Sequence, residues 1–90
     1  MKTHNQETIA LKRDLMQPLM DELIYKAVLK ERHIGTAKLN IDMAASFRMG
    51  GRRKQATQYL LSAAVHRKYA ESHARSLAAV RNQILEACHD

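Results

Sequence analysis

AASFRMGGRRKQATQYLLSA, residues 44–63, is the stretch on which the fold turns. Helix-favouring residues lie on both sides of Gly50-Gly51, a pair suited to closing one helix and starting another. Ala44, Ala56 and Ala63 are small enough to let two antiparallel helices approach closely, with Phe47 and Leu60 filling the space beside them. Arg52, Arg53 and Lys54 open the second helix. Cations are disfavoured there, because the N-terminal end of a helix already carries partial positive charge. The turn therefore poses a functional question along with a structural one.

Outward from the turn, the composition is that of helix. The chain has 90 residues, three Gly, one Pro and no Trp, without runs of β-branched or aromatic residues. A chain this short makes one domain with a thin core. The reading is a single helical domain over 1–90, all-α, a small bundle of four to five helices that contains an antiparallel helical hairpin. The helices are expected at 5–16, 18–33, 37–49 and 52–88, the last either unbroken or divided near 67–72. Gln17-Pro18 stops the first, since proline lacks an amide hydrogen and disfavours a helical residue before it. Leu19, Met20, Leu23, Ile24, Ala27 and Val28 form the core stripe of the second. Gly35 is expected to close that helix and Thr36 to cap the third, which buries Leu39 or Asn40, Ile41, Met43, Ala44 and Phe47.

The third helix, the turn and the next helix together resemble the tetratricopeptide helix-turn-helix unit. The family pattern is a small residue, an aromatic, a turn glycine, an alanine, a large apolar residue and a second alanine, matched by Ala44, Phe47, Gly51, Ala56, Leu60 and Ala63. The match covers about residues 37–70. Asn40 stands where the family prefers an aromatic, Lys68 where it often has proline, and neither flank repeats the signature. The resemblance implies protein binding of the adaptor or co-chaperone kind.

The net charge of +6 is unevenly placed. Between Met43 and Ala70 there is no Asp or Glu, while Arg48, Arg52, Arg53, Lys54, Arg67 and Lys68 supply six positive charges. That is the footprint of an acidic partner. Arg48, Arg52, Arg53 and Lys54 are the candidate anion-binding residues, and Ala44, Phe47, Gly51, Ala56, Leu60 and Ala63 the candidate hairpin packing.

Other chemistry finds little support. His66 and His73 share a helix face seven residues apart, whereas helical metal ligands usually sit three or four apart, so no metal or cofactor is expected. Cys88-His89, beside the terminal Asp90, lacks an ordered scaffold for thiol catalysis. Asp14, Asp21, Glu22 and Asp42 form no paired acid-base motif. Met16, Met20, Met43 and Met49 serve as core filler or adaptable binding surface.

No enzyme is expected. The favoured function is a small protein-interaction module whose basic turn selects an acidic protein, with self-association as a homodimer among the partner choices. The alternative is a nucleic-acid-binding regulator using the basic segment 48–68. The start MKTHNQETIA has no apolar signal core and no stretch is apolar enough to span a membrane, so the expected setting is the cytoplasm, with membrane binding disfavoured.

Overall fold

Gly50 and Gly51 reverse the chain through a hydrogen-bonded helix stop. The Arg52 amide donates to the Phe47 carbonyl at 2.8 Å and the Gly51 amide to the Arg48 carbonyl at 3.1 Å. This pairing closes a helix through a left-handed residue, here Gly51 at φ +77°. Arg52 then takes the N-cap position, and its carbonyl accepts from Ala56 as the next helix begins.

The computed structural model describes the backbone of residues 2–88 and the side chains of residues 11 and 13–88. Ile9, in the first expected helix, and His89 and Asp90 lie outside the described side chains. The architecture is all-α: α1 spans Lys2–Met49 and α2 spans Arg53–Ala87, packed as one antiparallel hairpin. It measures 75 × 15 × 12 Å with a radius of gyration of 20.8 Å, where a compact chain of this length would have about 12 Å.

The expected bundle of four to five helices is thus replaced by two helices, and the reasons are local. Pro18 lies inside α1. It forfeits the amide bond to the Asp14 carbonyl, at a cost of about 3 kcal/mol in a helix interior. Both residues are exposed, so water can take the freed carbonyl, and half-buried Met16, Leu19 and Leu23 hold the helix on α2. Gly35 is also helical, its φ negative. Thr36 does not cap; its hydroxyl donates back to the Arg32 carbonyl at 3.0 Å, a bond compatible with a helix interior. On the other side, α2 runs through residues 67–72 without a break.

The seam is built from small residues. Ala37 and Ala44 on α1, and Ala56, Ala63 and Ala70 on α2, are the buried alanines, joined by Val80. Each set repeats every seven residues, which keeps one line of side chains facing the partner helix as the pair supercoils. Farther from the turn the same spacing gives Lys30, Leu23 and Met16 on α1, and Leu77 and Ile84 on α2, all half-buried. No large side chain is fully buried among the described residues.

The expected core stripe is therefore only half covered. Leu19, Leu23 and Ala27 approach α2, whereas Ile24 is 61 % exposed, and Met20 and Val28 also face outward. Leu39 and Met43 are exposed too, with Asn40 and Ile41 taking the half-buried places. One partner helix covers one side of each stripe and leaves the other open.

The two glycines should respond oppositely to alanine. A Cβ at Gly35 would meet nothing within 4 Å, so Gly35→Ala should stabilise by roughly 0.5–1 kcal/mol. Gly51→Ala should destabilise by about 1–2 kcal/mol through its left-handed backbone. Thermal unfolding followed by circular dichroism reads both, and a loss on Gly35→Ala would mean that α1 does not run through this residue.

Candidate functional site

Residues three and four places from the seam lie on its two sides, and the two sides differ in chemistry. One side is a trough. Near the turn, Ile41, Ala44, Ala45, Met49, Ala56 and Leu60 line an apolar depression of about 420 Å³, with Arg48 at its edge. Ile41 and Leu60 also line the next depression, with Ala63, Ala64, Arg67 and Glu71. Arg67 and Glu71 in turn line a third, with Ile34 and Ala74. Shared walls make these one trough, running from the turn toward mid-hairpin. Ile24, Ala27 and Val28 line a separate depression farther along α1.

The cations gather where the trough meets the turn. Arg48, Arg52, Arg53 and Lys54 are all exposed. The one ion pair among the described residues joins Lys26 to Glu22, away from this end. Arg48 and Arg53 flank the trough beside Leu60 and Thr57. Arg52 makes no side-chain cap, and α2 has no acid in its first turn. The opening amides of α2 and three cations are therefore concentrated within one turn of helix, without a compensating carboxylate.

The hairpin-packing residues divide between the two sides. Ala44, Ala56 and Ala63 are in the seam and Gly51 in the turn. Phe47 stacks on Tyr59 with ring centroids 5.3 Å apart. Leu60 is 48 % exposed and forms the trough wall.

The other side of the seam is polar and aromatic. Asn40 donates from Nδ2 to the Ser62 hydroxyl across the hairpin at 2.9 Å. Farther from the turn, His33 and His66 share a hydrogen bond between their Nδ1 atoms at 2.9 Å, so one ring donates and the other accepts. His73 stacks on His33 with centroids 5.4 Å apart, and Tyr69 lies 5.2 Å from His33. His66 and His73 do share a face, as their spacing implies, and His33 from α1 inserts between them. Among the described residues, no three His, Cys, Asp or Glu side chains are placed to hold a metal ion.

Sequence reasoning missed His33 because HIGT reads as the end of a helix. The signal was present in the seven-residue step from Phe47 to Asn40, which continued once more along α1 reaches His33 and makes it an inward residue. Cys88 is exposed, its thiol 3.9 Å from the Met16 sulfur. Among the described residues no helix is long and apolar enough to cross a membrane. No protein-family model matches the chain, nor does any curated protein or solved structure.

Desolvation holds the His33 pKa below its ordinary value of 6.5, with the charges of His66 and His73 acting in the same direction. The folded chain thus binds a proton at His33 less readily than the unfolded chain, and its contribution to stability is lost as the pH falls. The contribution is full above pH 6.5 and declines below it toward the depressed folded value. The melting temperature should accordingly fall between pH 7.5 and pH 5, and His33→Gln should flatten that dependence. An unchanged slope in the variant would assign the effect to other groups.

Proposed function

We propose that the hairpin is a protein-interaction module of the adaptor kind, receiving an apolar helix in its trough and selecting an acidic partner by its basic turn. The observation that carries this reading is the meeting of two unsatisfied surfaces at one place. Apolar walls formed by Ile41, Met49 and Leu60 run directly into exposed Arg48 and Arg53. A helix with an apolar stripe and flanking carboxylates complements both.

The likeness to the tetratricopeptide unit bears only on how the two helices near the turn approach each other. Helices of 48 and 35 residues form a longer hairpin than one repeat of that family. A nucleic-acid-binding role draws on the same exposed cations. It accounts for the charge and leaves the apolar trough without an occupant, so it is the second reading. A binding role also suits a surface whose features are apolar contact and fixed charge, in place of a paired acid and base.

A photo-crosslinking residue in place of Leu60, introduced in the cells that make the protein, tests the reading. The expected product is a crosslinked protein whose contact segment carries Asp or Glu. Arg53→Glu with Lys54→Glu should lower capture about tenfold, because exposed charge contacts contribute roughly 0.2–1 kcal/mol each and reversal adds repulsion. The same pair should keep the helical circular dichroism of the hairpin, since acids suit the first turn of a helix. Products containing nucleic acid alone would favour the second reading, and no product would overturn the first.

A further inference from the structure

Resting on the interaction-module reading, the geometry points to a second copy of this chain as the occupant of the trough. The copies lie antiparallel, so that the turn of each hairpin meets the open end of the other and the four helices form one bundle.

Area is the first argument. A compact chain of 10.3 kDa exposes about 5,400 Å², whereas this hairpin exposes 7359 Å². The excess is roughly 2,000 Å², and a stable interface needs about 800 Å² from each partner. Ile24, Val28 and Leu60 are among the large apolar side chains in that exposed surface. A second hairpin supplies the missing layer for both of its own helices and both of its partner's.

Charge then selects the orientation. Residues 33–70, the half nearer the turn, hold seven Lys and Arg against Asp42 alone, a net +6 that accounts for the whole excess of the chain. The remaining half is neutral overall and holds every other acid. A parallel pair would set +6 beside +6, and like charges so juxtaposed are strongly disfavoured. An antiparallel pair sets each basic half against a neutral half that contains carboxylates.

The lengths agree with this arrangement. Met16 and Cys88 touch at the open end, which places Asp14 and Glu86 near one another there, both exposed. Overlaying the paired lengths of two antiparallel hairpins brings Arg48 and Arg53 of one copy to the level of Asp14 and Glu86 of the other. The acidic partner chosen by the turn is then the open end of a second chain.

Sedimentation equilibrium of the full chain at micromolar concentration is the first test, with an expected mass twice 10.3 kDa. The single cysteine gives the orientation, because Cys88 is exposed and accepts a spin label. With 35 residues in α2, antiparallel copies place the two labels about 50 Å apart. Parallel copies would bring them within about 20 Å, given the spacing of packed helices.

Leu60→Glu should yield monomers that keep their helical circular dichroism, since this side chain is already half exposed. Arg48→Glu with Arg53→Glu should dissociate the dimer as well. Mixing that chain with one carrying Asp14→Arg and Glu86→Arg should restore a mixed dimer. A wild-type mass of one chain, a short label distance, or a dimer indifferent to Leu60→Glu would each overturn the inference. A monomer whose Leu60 position still crosslinks to another acidic protein would end the second-copy proposal and leave the module reading standing. A monomer that crosslinks to nothing would end both.

Discussion

Close contact between two lines of alanine is the constraint on which the rest of this structure depends. Ala37 and Ala44 meet Ala56, Ala63 and Ala70 in a seam where a larger side chain would push the helices apart. Such a seam allows backbones to approach and gains dispersion contact, but it buries little apolar surface, because alanine has little to bury. The hairpin is consequently long, and no large side chain is fully enclosed among the described residues. Stability gathered in small increments along a seam needs many increments. That is why an α1 of 48 residues can be useful where a compact bundle would have used three short helices.

Register along such a seam must come from elsewhere, because alanines seven residues apart are interchangeable. The polar side supplies the distinction. The bond from Asn40 to Ser62 and the shared proton of His33 and His66 join residues that meet in one alignment only. A slip by one heptad would leave half-buried polar groups without these partners, at a cost that a uniform alanine line cannot impose. Phe47 stacked on Tyr59 adds a third distinct layer near the turn. The two sides of the seam thus differ in what they do for the fold: the aromatic and polar side fixes which residues face each other, and the trough side is left uncovered.

Much of this was legible in the sequence close to the turn and less of it farther away. The reversal at Gly50-Gly51 followed from local chemistry, because a left-handed residue in a helix stop is a requirement that neighbouring packing does not remove. Pro18 and Gly35 misled for the complementary reason. Their penalties in a helix are finite, about 3 and 1 kcal/mol, and a helix held along its length by a partner can absorb them. Leu39 and Met43 were expected inside because the stripe rule assumes neighbours on both sides of a helix, and this hairpin provides one. The trough was hidden by the same assumption. The cations at the turn were visible as a charge imbalance, whereas their junction with apolar walls needed the fold.

The placement of those cations bears on the question the turn posed. Arg52 leaves α2 without a side-chain cap, and Arg53 and Lys54 occupy positions where helix polarity disfavours positive charge. Each feature weakens the isolated hairpin slightly, and neither is required by the glycine stop, which works through backbone atoms. A serine or aspartate in place of Arg52 would satisfy an opening amide without disturbing Gly51. One class of neighbour relieves every one of these terms together: a carboxylate, which accepts from the free amides, pairs with the guanidinium groups and answers the helix dipole. The charge at the turn therefore runs against the stability of one isolated hairpin, whereas the glycine stop that reverses the chain does not depend on it.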